Sequence, residues 1–143
     1  MKGISLDNID HQILAYLKSN AKLTNKDIGQ LIHMTGQAVG IRINKLIDAG
    51  HIQNYTISIK YDHKQFIRVF MDNNQYDTFE AEVNTYLEVA DFYKVSGQAC
   101  YMIVGHFSHE RLAQFITTIS KWGRYSIETV LDNRKKDRQL SIL

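Results

Sequence analysis

Residues 24–50 read TNKDIGQLIHMTGQAVGIRINKLIDAG and contain the start and stop signals of two helices. Thr24 can cap the first helix, and Asp27 three residues later completes a capping box. Thr35 can cap the second helix, and Gly50 is a typical stop signal just past its end. Apolar residues recur at helical spacing after each cap, namely Ile28, Leu31 and Ile32, and then Val39, Ile43, Leu46 and Ile47. The pattern predicts two short helices joined by a tight turn.

A further helix is predicted upstream of these two. Asp7 can cap it, with Asp10 three residues on, and it should end near Asn20. Its apolar stripe consists of Ile9, Ile13, Leu14 and Leu17. Three short helices with a tight turn between the last two have the layout of a helix-turn-helix, in which the last helix projects and fits the major groove of DNA. We therefore expect the N-terminal part to bind double-stranded DNA.

The outward side of the last helix carries the predicted base contacts. At about 3.6 residues per turn, the side opposite the apolar stripe presents Gln37, Ile41 and Asn44. The Gln37 amide is of the type that bonds an adenine edge, and Ile41 can touch a thymine methyl group. Such a mixture is unusual for a face that meets only water.

Contacts to the DNA backbone are predicted around these positions. Thr35 and the first-turn N–H groups can hold a phosphate, and Arg42 and Lys45 can reach the backbone on either side. Gly36 and Gly40 are unfavourable inside a helix and suggest the close approach of another backbone, which DNA would supply. The predicted DNA-binding residues are Thr35, Gly36, Gln37, Gly40, Ile41, Arg42, Asn44 and Lys45.

After Gly50 the hydrophobic period changes. Residues 51–60 alternate loosely and predict a strand, and residues 61–65 are polar and read as a linker. From Phe66 onward the predicted order is βαββαβ, the ferredoxin-like arrangement of an α+β fold with both helices on one face of an antiparallel sheet. The predicted division is residues 1–52 for the DNA-binding domain, 53–65 for the strand and linker, and 66–143 for the second domain.

Two features of the second domain predict interactions. The strands at 92–95 and 100–107 should form a hairpin joined at residues 96–99. The sheet face away from the helices would carry aromatic and aliphatic side chains, and an exposed apolar face predicts a partner. A symmetric homodimer is the simplest partner to propose.

Composition excludes several classes of protein. Hydrophobic residues make up 44% of the chain and charged residues 22%, as in a soluble globular protein. The sequence contains no apolar run long enough for a membrane span and no signal peptide at its start, so we expect a cytoplasmic protein that does not bind membranes. Residues 1–60 hold seven Lys and Arg against four Asp and Glu, whereas residues 61–143 hold ten against eleven, which favours phosphate contact by the N-terminal part.

No catalytic, metal or cofactor motif is found in the sequence. A nucleophile elbow, a phosphate loop and a paired-carboxylate spacing are all missing, so we expect no enzyme activity and no cofactor. The six histidines lack zinc-ligand spacing, and His106 and His109 straddle a strand end and a helix start. The lone Cys100 is interpreted as a half-buried hydrophobic thiol rather than a redox sensor.

Three runs resemble the Lrp/AsnC family of feast/famine regulators. They are LDNIDHQIL at residues 6–14, TGQAVGIRINKLIDAGHI at 35–52 and VSGQACY at 95–101, and the resemblance covers nearly the whole chain. It implies a transcription regulator whose C-terminal half is a RAM domain that dimerises through its sheet, with dimers often assembled into octamers. It also implies a small effector, commonly an amino acid, bound near the hairpin at Gly97, Gln98, Ala99, Cys100 and Tyr101.

This chain departs from the family pattern at three positions. His33 stands in the turn where glycine is frequent because a left-handed conformation is needed there. Gly29 stands where alanine is usual, and Cys100 stands where the hairpin usually has an acidic residue. A neutral thiol cannot receive an ammonium group as strongly as a carboxylate does.

Two other functions remain as alternatives to a sequence-specific regulator. One is an architectural protein that compacts DNA with little sequence choice or effector response. The other is an enzyme built on the ferredoxin-like half.

Overall fold

The computed structural model describes residues 5–136. Within this range the chain forms two compact units, the first containing residues 5–58 and the second Ile59–Lys135. The division lies inside the segment 53–65 that we expected to connect the domains. Residues 137–143, the end of the predicted second domain, lie outside the described residues.

The N-terminal unit contains the three expected helices, α1 (Asn8–Ser19), α2 (Asn25–Ile32) and α3 (Gly36–Asp48). Each begins at its predicted cap. The Asp10 N–H donates to Asp7 Oδ1 at 2.8 Å, and the Asp27 N–H donates to Thr24 Oγ1 at 3.1 Å. In both helices the side chain three residues on accepts from the cap backbone N–H, which completes a capping box. The core between the helices is formed by Ile13, Leu17, Ile28, Val39, Ile43 and Leu46.

Two left-handed residues end α2 and α3. His33 has φ 60°, ψ 47° and lies in the turn between these helices, as the family resemblance implied. Gly50 has φ 81°. Its N–H donates to the Ile47 carbonyl at 3.0 Å, and the His51 N–H donates to the Leu46 carbonyl at 2.9 Å. This pair of hydrogen bonds is a Schellman motif, so the predicted stop signal at Gly50 is confirmed.

The strand predicted over residues 51–60 is wrong. No helix or strand forms in this segment, and among the described residues no strand precedes Gln65. A strand needs a neighbour to satisfy its N–H and C=O groups, and no described segment of this chain pairs with residues 51–60. The apolar side chains of the segment remain exposed, with 52% for Tyr55, 78% for Ile57 and 53% for Ile59.

The C-terminal unit has the predicted βαββαβ order. Its elements are β1 (Gln65–Met71), α4 (Tyr76–Val83), β2 (Val89–Lys94), β3 (Tyr101–Gly105), α5 (His109–Ile119) and β4 (Gly123–Thr129). The strands form an antiparallel sheet in the order β2-β3-β1-β4, and β2 and β3 form the expected hairpin. Both helices contribute to a single buried cluster with one face of the sheet, formed by Ile67, Val69, Phe79, Val83, Tyr101, Ile103, Phe107, Phe115, Ile119 and Trp122.

The register divides the sheet into a core face and an open face. On the core face, Ile67 lies between Ile103 and Ile127 on the neighbouring strands. On the open face, the next residue Arg68 lies between Met102 and Ser126. The open face also carries Phe66, Phe70 and Tyr93. The open face thus carries the aromatic side chains that the sequence pattern predicted, together with the charged Arg68, which the prediction of an apolar face did not include.

Candidate nucleic-acid interface and effector hairpin

The outward side of α3 is exposed as expected. Gln37, Asn44 and Lys45 are exposed, and Ile41 keeps 52% of its surface accessible. On the opposite side of the helix, Val39, Ile43 and Leu46 are buried. The helix therefore presents two amides, an aliphatic side chain and an ammonium group to its surroundings. This combination matches the chemistry of base edges and phosphates in a major groove.

Thr35 is the N-cap residue of α3 and lies at the start of its outward side. Its Oγ1 accepts from the Ala38 N–H at 3.1 Å, so the hydroxyl satisfies one of the first-turn donors. The residue is nevertheless exposed, and it lies next to Gln37 at the end of the helix that would enter a groove first.

Gly36 and Gly40 have a different role from the predicted one. A Cβ on Gly36 would lie 3.2 Å from the Lys26 backbone nitrogen, and a Cβ on Gly40 would lie 2.9 Å from Asn25 Nδ2. The close approach that we attributed to DNA is therefore made by α2 of the same unit. Gly36 lets the backbone at the start of α2 lie directly against α3, and Gly40 leaves room for the Asn25 side chain.

This contact brings Asn25 to the edge of the outward face, a position that our sequence reasoning missed. Asn25 and Lys26 are exposed, and the Asn25 amide lies over Gly40. The spacing of two glycines four residues apart was the available signal, because it allows close helix contact, but it did not identify α2 as the partner.

Arg42 does not project freely toward solvent but pairs with the start of α1, and its contact with the DNA backbone stays a prediction. Its Nη1 donates to Asp7 Oδ1 and Oδ2 at 2.9 and 2.8 Å and to Asp10 Oδ1 at 3.2 Å. The hydrogen bond from Arg42, followed by that from the Asp10 N–H, lowers the pKa of Asp7. The hydrogen bond to Asp7 in turn raises the pKa of Arg42. Arg42 thus joins the N-terminus of α1 to α3.

The ion pair lines a shallow groove along one side of α3. The groove is formed by Asp7, Asp10, Met34, Ala38, Ile41, Arg42 and Lys45. Two carboxylates and two cationic groups therefore share this side of the helix, so its net charge is close to zero. Strong attraction of phosphate is not expected from this side alone.

The hairpin between β2 and β3 is the candidate effector region. Gly97 has φ 131°, and no heavy atom lies within 4 Å of a Cβ placed on it. Gln98 is exposed, whereas Ala99 and Cys100 are half-buried. The Cys100 N–H donates to the Val69 carbonyl at 2.9 Å, and the residue packs against the core of the unit. The exposed tip thus consists of small or neutral groups.

Tyr101 is almost fully buried in the core of the unit and also lines the pocket between α4 and β2, and its contact with an effector stays a prediction. Its side chain is 1% exposed, and its hydroxyl donates to Glu80 Oε2 at 2.5 Å. Its ring packs against Phe79 and Phe92, with centroids 5.0 and 5.2 Å away. Burial, followed by the hydrogen bond to Glu80, raises the pKa of Tyr101. Tyr101 therefore lies on the core face of the sheet, where it packs beneath the hairpin.

Residues 5–136 contain neither a candidate metal cluster nor a candidate membrane-spanning helix. No group of three or more His, Cys, Asp and Glu side chains could hold a metal ion in this range. None of the helices described there combines the length and the apolar character that a membrane span requires.

Two protein-family profiles match this chain, one for each of the two compact units. The profile described as winged helix-turn-helix DNA-binding matches residues 6–53. The profile described as the Lrp/AsnC ligand binding domain matches residues 64–140. The helices α1–α3 fall within the first match and the whole antiparallel sheet falls within the second.

Similar proteins are named as transcription regulators and not as enzymes. The chain is 35% identical over 146 residues to the HTH-type transcriptional regulator LrpB of Bacillus subtilis, covering 98% of each chain. It is 32% identical over 133 residues to LrpA of the same organism, covering 88% of this chain and 98% of the relative.

Solved structures share the fold at lower identity. LrpC of B. subtilis superposes with a TM-score of 0.87 at 23% identity, covering 94% of this chain and 100% of that one. The transcriptional regulator NMB0573 of Neisseria meningitidis, solved in complex with L-Met, superposes with a TM-score of 0.81 at 24% identity, covering 96% and 97%.

Proposed function

Because this chain belongs to the Lrp/AsnC family of transcription regulators, we propose that it is a sequence-specific DNA-binding regulator that reads DNA with the outward face of α3. The observation that carries the proposal is the exposure of Gln37, Ile41 and Asn44 on a helix whose opposite side is buried. Gln37 and Asn44 contact base edges, and Ile41 contacts a thymine methyl group. Thr35 and Lys45 hold the phosphates on either side. Gly36 and Gly40 lie against the start of α2, and Arg42 pairs with the start of α1, so these three residues position α3.

The proposal is tested by DNA-binding affinity on selected and random duplexes. A preferred site is first selected from fragments of the native genome, and its dissociation constant is compared with that of a scrambled duplex at the same salt concentration. We expect a ratio of about a thousandfold or more. The matched control is Gln30→Ala, which removes the same amide from an exposed position on α2. It should leave the ratio unchanged, whereas Gln37→Ala should reduce it.

An architectural protein would give a different result in the same assay. Such a protein would bind both duplexes with a ratio near one, because backbone contacts carry no sequence information. The near-neutral groove beside α3 argues against this alternative, since nonspecific binding depends on cationic contacts to phosphate. Mapping bound sites in the native cell, with and without amino-acid starvation, would separate the two functions in vivo.

We further propose that the chain forms homodimers through the open face of its sheet, and that dimers assemble into octamers. Phe66 and Tyr93 on this face keep 40% and 52% of their surface accessible. Arg68 and Glu128 lie 3.6 Å apart across neighbouring strands of the same face. An apolar surface with both signs of charge can be complementary to a second copy of itself about a two-fold axis.

Sedimentation of the full chain tests the proposed assembly. Phe66→Asp should release monomers, because it places a charge in the centre of the buried interface. Leu87→Asp is the matched control, since Leu87 is 99% exposed in the turn after α4 and away from the open face. A wild-type chain that sediments as a monomer would contradict the proposal.

Finally, we propose that a small effector binds at the hairpin tip, at Gly97, Gln98, Ala99 and Cys100. Gly97 leaves room for a ligand, and Gln98 offers an exposed amide. Thermal unfolding in the presence of each amino acid, beginning with L-Met because of the N. meningitidis complex, tests this site. A ligand that raises the unfolding temperature of the wild type should fail to do so for Gly97→Val. Failure of every ligand would leave the chain without an amino-acid response.

A further inference from the structure

We propose that Arg42 is a positioning residue that holds α1 against the DNA-reading helix and makes no contact with phosphate. The inference rests on the proposed function, in which α3 enters the major groove. It changes the role of the one arginine in that helix, which our sequence analysis placed among the DNA ligands.

The first argument is the set of contacts that Arg42 makes with the start of α1. One guanidinium nitrogen, Nη1, makes all three contacts to Asp7 and Asp10. The two carboxylates also cap α1 reciprocally, because Asp7 Oδ1 accepts from the Asp10 N–H and Asp10 Oδ2 accepts from the Asp7 N–H. The arginine therefore joins a network that already determines where α1 begins.

The second argument is the burial of Asp10. This residue is only 7% exposed, although it carries a carboxylate. If Arg42 turned toward a phosphate, Asp10 would remain in a largely buried position without its cation. The Arg42 side chain is 31% exposed, so the pair is partly buried, and removing Arg42 costs less than breaking a fully buried pair but still leaves the Asp10 carboxylate without its cation. Retention of Arg42 by α1 in the DNA complex is therefore expected.

The third argument is the charge balance. Two carboxylates surround one guanidinium, so the cluster has no positive charge to offer to DNA. Lys45, three residues further along α3, is exposed and can reach a phosphate instead. The contribution of Arg42 to recognition is geometric, because the position of α3 on α1 decides how the outward face meets the base edges.

The salt dependence of DNA affinity distinguishes a positioning residue from a phosphate ligand. Affinities of the full-length wild type, Arg42→Gln, Arg42→Lys, Asp7→Asn and Lys45→Ala are measured on a selected and a random duplex over a range of salt concentrations, well below the unfolding temperature of every variant. Asp7→Asn keeps a good N-cap residue while removing the charge. Lys45→Ala is the control that removes a cation from the same helix.

We expect Arg42→Gln to leave the slope of log affinity against log salt unchanged and to reduce the ratio of specific to random binding several-fold. Arg42→Lys should recover most of that ratio, because one donor nitrogen makes every contact. Lys45→Ala should flatten the slope by about one unit on both duplexes. Thermal unfolding of Arg42→Gln, Asp7→Asn and the double variant should give non-additive losses, as expected for two residues in contact.

Three outcomes would overturn the inference. Arg42→Gln could flatten the salt slope by about one unit, as a phosphate ligand would. Asp7→Asn could steepen the slope by the same amount, which would mean that Asp7 withholds Arg42 from DNA. Arg42→Gln could also unfold at as high a temperature as Lys45→Ala, which would mean that Arg42 does not hold α1 in place. If the wild type binds no DNA, the proposed function fails, while the stability measurements still decide whether Arg42 holds α1 in place.

Discussion

Replacing Gly29 by alanine should destabilise the N-terminal unit, although the family resemblance implied alanine at this position. A Cβ on Gly29 would lie 2.4 Å from the Met34 carbonyl oxygen and 3.2 Å from the Thr35 carbonyl carbon. Both are backbone atoms of the turn, so neither can move aside by rotating a side chain. Overpacking of this kind costs about 3 kcal/mol at the upper end of its range.

The gain in helix propensity opposes this cost. Alanine is favoured over glycine inside a helix by about 1 kcal/mol. The net loss should therefore be about 2 kcal/mol, which corresponds to about 10 °C in the unfolding temperature of a domain of this size. The cause is the backbone of this turn, where His33 at φ 60° turns the chain so that the Met34 N–H donates to the Gly29 carbonyl at 2.8 Å.

Thermal unfolding followed by far-UV circular dichroism measures the effect. Gly40→Ala is the matched control, since its Cβ would meet only the Asn25 amide, the end of a side chain that can rotate away. This control should be as stable as the wild type or slightly more stable. If Gly29→Ala unfolds at the same temperature as the wild type, the close approach of the Met34 carbonyl does not govern this turn.

Three further outcomes are expected. Gln37→Ala should relax sequence choice by about 1–3 kcal/mol at one base pair, measured on duplexes substituted singly; unchanged discrimination would remove Gln37 from the base-reading residues. The pKa of Asp7 is lowered in the fold, so its ion pair stabilises the fold above the ordinary pKa of 3.8, and this contribution is lost as the pH falls further. The free energy of unfolding of Asp7→Asn should therefore decrease less on acidification than that of the wild type. Tyr101→Phe should destabilise the chain by about 1–3 kcal/mol in urea unfolding by removing the donor to Glu80, and should leave any effector response intact.

The sequence pattern correctly predicted the features that depend on residues close together along the chain. The caps at Asp7, Thr24 and Thr35 each bond a backbone N–H three residues away, so the pattern contains the whole interaction. The Schellman motif at Gly50 is local in the same sense. The succession of strand-like and helix-like apolar patterns also predicted the βαββαβ order of elements along the chain.

The sequence pattern did not predict contacts between residues that lie far apart along the chain. Arg42 meets Asp7 across 35 residues, and periodicity cannot reveal such a partner. The glycines of α3 signalled a close neighbour without identifying α2. Tyr101 was placed in an effector site by resemblance alone, whereas the register puts it on the core face opposite Val69. Residues 51–60 alternate like a strand, but pairing requires a second strand.

Trp122 is the single tryptophan of the chain, and it is 4% exposed in the core of the C-terminal unit. Its fluorescence therefore monitors one unit only, whereas the far-UV ellipticity arises from the helices of both units. Superimposed melting curves from the two signals would mean that the units unfold as one cooperative block. Separated curves would give each unit its own transition, and a ligand of either could then be located by the signal that it shifts.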